Sequence, residues 1–207
     1  MQVVGVVLAA GESRRMGQLK ALLPFGDRTV IEQVIQPLLE SDLARVTVVL
    51  GHRAQEIAAV LAPHPVHILI NPNYRDGMTT SVQAAMQHIT PVPDAYLLAL
   101  VDQPHLGPLP TQRVLAAAAQ TDKGLVIPTR GGKRGHPIVI ASRYREEILG
   151  LGPDEGLNRV TRGHADDTLE IPLDDMDDDA ILRDMDYRED YEAELERWTQ
   201  RTSRHPS

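Results

Sequence analysis

The chain has 207 residues, 42% hydrophobic and 24% charged, which suits one medium soluble domain with a substantial core. It has no cysteine, which excludes disulfides, thiolate nucleophiles and zinc–thiolate sites, and its 3% aromatic content excludes a stacking platform for single-stranded nucleic acid. The formal charge of -8 is lopsided, since residues 166–196 hold fifteen of the 29 acids against two bases, Arg183 and Arg188. Bulk acidity is wrong for a nucleic-acid coat and leaves room for a small anion in a local cationic pocket.

Residues 3–8 form a short apolar run that reads as a buried strand of a parallel sheet. It stops at Ala9-Ala10-Gly11, and the next loop places Arg14 and Arg15 between Gly11 and Gly17 before ending on Lys20. Amides freed by glycine, with three cations, suit a polyphosphate at the sheet edge where open α/β folds hold ligands. The spacing is not the dinucleotide fingerprint, which needs glycines at the first, third and sixth positions. Nor is it the P-loop, which needs Ser or Thr straight after Gly-Lys. Leu8, Ala9, Ala10, Gly11, Ser13, Arg14, Arg15, Gly17 and Lys20 are therefore the expected nucleotide-binding residues.

Thr29 caps a helix over residues 30–41, with Ile31, Val34, Ile35, Leu38 and Leu39 on one face. A strand at Arg45 to Leu50, a helix at Ala54 to Leu61 and a strand at Val66 to Ile70 follow. Asn71-Pro72-Asn73 then leads through Gly77 to a helix over 78–89. Asn71, Gly77 and Ser81 are candidates for contact with a base or ribose, although a plain turn with a capping hydroxyl has the same pattern. The strand from Ala95 to Val101 ends in Asp102-Gln103-Pro104. Asp102 thus emerges at the same edge as the cationic loop, a natural ligand for Mg2+ when phosphates supply other oxygens.

A helix over 111–120 and a strand at Leu125 to Ile127 come next. Thr129 to Gly135 is a basic glycine segment. It reads either as a mobile arm whose Lys133, Arg134 and His136 receive a second anionic substrate, or as a surface hairpin. An apolar run at Ile138 to Ile140, helices near 143–149 and 155–162, and a strand at 168–172 complete the alternation. Asp174, Asp175 and Asp177 to Asp179 read as a solvated face. Asp184 and Asp186 stand two apart, so either or both can reach a metal held by Asp102. A charged helix from Tyr187 to Thr199 closes the chain, with the last few residues disordered.

The alternation predicts a three-layer α/β/α architecture with a mostly parallel, Rossmann-like sheet. One domain is expected over residues 1–195, in which 129–172 form an acceptor-side insertion, followed by a tail at 196–207. No basic-then-apolar leader or bilayer-length segment stands in the sequence. A cytoplasmic protein with no membrane or nucleic-acid partner is the expectation.

Leu8-Ala9-Ala10-Gly11 with Ser13, Arg15, Met16, Gly17 and Lys20 resembles the opening motif of MobA-like nucleotidyltransferases, most of all the molybdenum cofactor cytidylyltransferases. Leu22-Leu23-Pro24, the Asn71 to Ser81 segment, Asp102-Gln103-Pro104, Gly135-His136-Pro137 and Asp184-Met185-Asp186 match in the same order, over roughly residues 3–195. The guanylyl-transferring members usually carry a second glycine where this chain has Ala10. Two segments depart from the family. Pro153-Asp154-Glu155-Gly156-Leu157-Asn158 replaces a Gly-Asp-x-Gly-Ala-Arg pattern, and Tyr187-Arg188 interrupts the usual Asp-Ile-Asp-Thr-Pro-Glu-Asp ending.

The resemblance implies a nucleotidyltransferase fold and transfer of CMP from CTP to the phosphate of molybdopterin. Lys20, Arg15 and Asp102 would be its catalytic residues, with Asp102 and Asp186 or Asp184 on Mg2+. A molybdenum hydroxylase apoenzyme is the implied partner. Two alternatives stay open: a cytidylyltransferase for a polyol or sugar phosphate, and a nucleotide-binding accessory protein that delivers cofactor.

Overall fold

The computed structural model describes residues 1–176 and 179–204. Asp177, Asp178 and the last three positions, the end expected to be disordered, lie outside the described residues. The elements run β1 (Val3–Ala9), β2 (Pro24–Phe25), β3 (Arg28–Thr29), α1 (Val30–Leu39), β4 (Arg45–Leu50), α2 (Ala54–Leu61), β5 (Val66–Ile70), α3 (Met78–His88) and β6 (Ala95–Leu100). They continue with α4 (Pro108–Ala118), β7 (Leu125–Arg130), β8 (Lys133–Arg134), β9 (Ile138–Ala141), α5 (Arg145–Leu149), α6 (Asn158–Gly163), β10 (Thr168–Pro172) and α7 (Arg188–Arg204).

Among the described residues the main sheet has the order β10-β7-β9-β6-β1-β4-β5, with β8 folded back on β7. Strands β5, β4, β1 and β6 are parallel neighbours, and β7 and β10 are parallel to each other. Only β9, inserted between β6 and β7, runs against the strands on both sides. Successive residues of β1 serve opposite faces, as the pleat requires. Val3, Val7 and Ala9 join a core with Ile31, Ile35 and Leu38 of α1, Ile57 and Leu61 of α2, and Val114 of α4. Val4, Val6 and Leu8 join another with Val82, Ala85 and Met86 of α3, Ile148 of α5 and Val160 of α6. The fold is the expected three-layer α/β/α arrangement, and burial on both faces is why β1, β4 and β6 read as nearly unbroken apolar runs.

Local chemistry sets the element ends. Thr29 and Glu32 form a reciprocal capping box at the start of α1, worth about 1 kcal/mol. The helix stops at Leu39, two residues short of the expected end. Helix α4 begins at Pro108, three residues earlier than expected, because proline is preorganised for the first helical position. The basic glycine segment is a hairpin: β7 runs on to Arg130 and returns as β8 through Gly131 and Gly132, both at positive φ (55° and 73°). Residues 129–172 supply β9 and β10 to the main sheet.

Of the acids expected as a solvated face, Asp174, Asp175 and Asp179 are described; they are exposed and each also has a partner. Asp174 accepts the Gly131 amide at 2.8 Å, Asp175 takes both Arg113 terminal nitrogens at 2.6 Å, and Asp179 pairs with Arg183. Helix α7 extends to Arg204, five residues past its expected end. Its Trp198 packs on Phe25 with ring centroids 5.5 Å apart. Among the described residues no helix is long and apolar enough to cross a membrane.

Candidate active site

Strands β1 and β6 are parallel, with Leu8 opposite Leu100, so the loops leaving them share one rim of the sheet. A cavity of about 420 Å³ opens there. The structure brings Leu8, Ala9, Ala10, Gly11, Ser13, Arg14, Arg15, Lys20, Gly77, Ser81, Asp102 and Asp186 together in its wall.

The loop after β1 is bent by two left-handed residues, Ser13 (φ 52°) and Gly17 (φ 68°). The Ser13 carbonyl accepts the Met16 and Gly17 amides, each at 3.1 Å, and its hydroxyl accepts the Lys20 amide at 3.1 Å. A non-glycine residue in that region stores strain of about 1–3 kcal/mol, which the three hydrogen bonds offset. The result is a closed bend that delivers Lys20 inward. Its side chain is only 12% exposed, and its ammonium donates to the Met185 carbonyl at 2.8 Å. It also lies 3.3 Å from Asp102 Oδ2 and 3.4 Å from Asp186 Oδ1. Arg15 reaches the same carboxylate from outside, with Nη1 2.7 Å from Asp186 Oδ2, and its guanidinium lies over the Tyr187 ring at 5.7 Å.

The segment carrying Asp186 is stitched to the end of β6. The Met185 amide donates to the Asp102 carbonyl at 3.0 Å. Gln103 Nε2 donates to the Arg183 carbonyl at 3.1 Å and to Asp184 Oδ1 at 2.9 Å. This separates the two candidate acids: Asp186 faces Lys20, whereas Asp184 turns to Gln103 and does not line the cavity. Desolvation, then the nearby Asp102 charge, raise the Asp184 pKa above the usual carboxylate range, against the lowering pull of the Gln103 bond.

The donor set fits a divalent cation. Asp102 Oδ1 is buried and makes no hydrogen bond, and the Lys20 ammonium already marks a point of favoured positive charge between two carboxylates. Among the described residues no group of three or more His, Cys, Asp or Glu side chains is arranged around a metal position. Two carboxylates therefore need oxygens from a substrate, which is how Mg2+ is commonly held beside phosphates.

Several expected residues stand elsewhere. Gly17 shapes the loop without lining the cavity. Asn71 is 2% exposed and donates to Thr80 Oγ1 at 2.9 Å and Ser81 Oγ at 3.0 Å, so it braces the start of α3 from behind. Lys133, Arg134 and His136 do not line the cavity. Arg134 is committed to Glu170 at 2.7 Å and to the Thr161 carbonyl at 2.7 Å, and Lys133 is exposed on the hairpin. Burial holds the His136 imidazole below its usual pKa, with Asp102 pulling the other way.

Sequence reasoning missed Glu12, which lines the cavity and is paired with Arg14 and, at 3.5 Å, with Arg75. It also missed the Met185 carbonyl. Glu12 sits inside the cationic motif and had a signal; a backbone oxygen has none.

A family model described as the MobA-like NTP transferase domain matches residues 5–168. Nicotine blue oxidoreductase of Paenarthrobacter nicotinovorans is 35% identical over 159 residues, covering 70% of this chain and 74% of that protein. The molybdenum cofactor cytidylyltransferase of Escherichia coli K12 is 30% identical over 137 residues, covering 66% and 68% respectively. The crystal structure of Rv0371c from Mycobacterium tuberculosis H37Rv superimposes with a TM-score of 0.82 at 25% identity, covering 95% of this chain and 98% of that one. A structure of the same mycobacterial protein in complex with manganese gives a TM-score of 0.77 at 23% identity, covering 95% and 99%. The site geometry and these likenesses agree, and the chain belongs to the MobA-like NTP transferase family as a nucleotidyltransferase.

Proposed function

We propose that this chain transfers CMP from CTP to the phosphate of molybdopterin and releases pyrophosphate. The observation that carries the reading is the meeting of Lys20 with Asp102 and Asp186 at one rim of the cavity. A phosphate monoester is already a competent nucleophile, so one of its oxygens attacks the α-phosphorus without a general base. A new P–O bond forms as the bond from the α-phosphorus to the bridging oxygen breaks, and that electron pair leaves with pyrophosphate. Catalysis then rests on alignment and on neutralising the departing charge.

Lys20 and Arg15 are the cations placed to do this, and the backbone of residues 10–15, which lines the cavity, would meet the phosphates. Asp102 and Asp186 are the residues that would hold Mg2+, and the ion would supply positive charge to offset that of the phosphates. Gly77 and Ser81, in the cavity wall, would meet the base or the ribose. Ala10, where the guanylyl-transferring members usually carry a second glycine, lines the cavity, and its methyl would narrow the room for a purine. The E. coli cytidylyltransferase supports CTP and the acceptor.

The relative named nicotine blue oxidoreductase favours a second reading, since a phosphate cradle at a sheet edge takes a dinucleotide's pyrophosphate as well as a triphosphate. One experiment separates the readings. Labelled CTP is incubated with Mg2+ and, in parallel, with molybdopterin, sugar phosphates or polyol phosphates, and products are identified by mass. A cytidylylated molybdopterin supports the proposal, and a cytidylylated sugar or polyol moves the acceptor. CTP binding without turnover selects an accessory role. In a separate arm without CTP, oxidation of an added reduced nicotinamide dinucleotide, its hydride passing to an added two-electron acceptor dye, selects the redox reading if no cytidylylated product forms in the first arm.

A further inference from the structure

Glu194 carries a charge that the reaction does not use. It is 2% exposed on the inner face of α7 and does not line the cavity. Arg183 donates to it through Nε at 2.6 Å and Nη2 at 3.2 Å, and Arg197 pairs with it as well. His105, just past Asp102 in the chain, lies 3.6 Å away through Nδ1. Four residues earlier on the same helix face, Asp190 Oδ2 accepts the backbone amides of Asp186 at 3.1 Å and Tyr187 at 2.8 Å. One face of α7 thus holds both ends of the segment from Arg183 to Tyr187. Between those ends lie the Met185 carbonyl and the Asp186 carboxylate that meet Lys20.

Helix capping accounts for Asp190, which sits in the first turn. It does not account for Glu194, which stands in the second turn and is desolvated against two arginines. A buried ion pair is a poor anchor, because an apolar side chain of similar volume packs a helix at least as well. What the pair supplies is a fixed direction: a planar guanidinium gripped through two nitrogens sets the path of its own backbone. That backbone is the one Gln103 ties to the end of β6.

We propose that Glu194 is a positioning residue which, through Arg183, sets the reach of Asp186 toward Lys20 and Asp102 and so tunes the seat for a metal-bound triphosphate. The proposal rests on the nucleotidyl-transfer reading of the cavity. A merely structural Glu194 would affect the docking of α7 and the melting temperature, and nothing else.

The test uses the full chain with Mn2+ and CTP as probes. Mn2+ binding is followed by electron paramagnetic resonance at saturating CTP, CTP binding is measured separately without metal, and each variant is melted. Glu194→Gln keeps the shape and removes the charge. It should weaken Mn2+ binding about tenfold, with metal-free CTP binding within about twofold of wild type, because the Ser13 hydrogen bonds that shape the 10–20 loop do not involve the braced segment. Wild-type Mn2+ affinity in Glu194→Gln overturns the proposal, as does an equal loss in the metal-free CTP arm. If that variant does not fold, Arg183→Lys, which keeps the charge and loses the two-nitrogen grip on Glu194, takes its place. A loss of Mn2+ affinity of about threefold or more supports the proposal, and unchanged affinity overturns it. Failure of the wild-type chain to bind Mn2+ with any nucleoside triphosphate is a separate result, which overturns the transfer reading and this inference with it.

Discussion

Lys20 answers to two acids and a carbonyl at once, so its removal should disturb all three. Its side chain is 12% exposed and that of Asp102 22%, so this contact is diluted by solvent less than a surface pair, while the contact with the half-exposed Asp186 is more open to screening. Lys20→Ala and Asp102→Ala should each cost about 2–4 kcal/mol of transition-state stabilisation, read as the rate of pyrophosphate release at saturating CTP. Rates within a factor of about three of wild type would remove these residues from the chemistry. Both were legible in the sequence, because Asp102 directly follows an apolar strand and Lys20 ends the glycine-bracketed loop that leaves another. The choice between Asp184 and Asp186 was not legible, since it depends on Gln103 capturing the first of them.

Asp167 shows the same physics away from the site. Arg143, through bonds of 2.6 and 2.8 Å, and the Tyr144 hydroxyl hold its pKa at about 2, below the usual 3.8. A carboxylate with a depressed folded-state pKa contributes stability that is present above its unfolded pKa and is lost as pH falls through the folded one. Asp167→Asn should therefore melt lower than wild type at pH 7, by about 1 kcal/mol or less for so exposed a pair. The gap should close between about pH 4 and pH 2. A gap that persists unchanged at pH 2 would contradict the assignment.

At the scale of elements, the strands meet the loops through tight backbone contact. Gly51, just past β4, approaches the Ala10 carbonyl and the Tyr74 ring so closely that a Cβ would stand 2.8 and 2.6 Å from them. Gly51→Ala must push either the phosphate loop or Tyr74 out of the cavity wall. We expect a loss of about 1–3 kcal/mol in urea melts, together with weaker CTP binding. Unchanged stability and affinity would show that the contact has slack.

The main strands and helices were legible because β1, β4 and β6 are buried on both faces and α1 is amphipathic. Three features were not. The reversed direction of β9 leaves no trace in Ile138 to Ile140, since an apolar run does not state which way its neighbours point. The β2–β3 hairpin is two residues a side, too short for any period. The far end of β7 was hidden by Pro128, which sits in the strand while its carbonyl accepts the Gly135 amide at 2.8 Å.

For the whole molecule, the acidic final third is connected to the site far more closely than its composition suggests. Asp186 faces Lys20, Asp190 and Glu194 hold the segment that carries it, and Glu170, Asp175 and Asp179 are paired with arginines. A charge run read from composition alone looks solvated, because pairing across 60 or more residues, as between Arg113 and Asp175, has no local signature. The fold places a positive loop from the first strand and an acidic segment from the last third against one end of β6.

Pyrophosphate release from each of the four nucleoside triphosphates, with Mg2+ and with or without molybdopterin, shows whether the two sides of that rim act together. Release should be fastest from CTP and should depend on both the acceptor and the divalent ion. No release from any triphosphate with any phosphorylated acceptor would contradict that joint action.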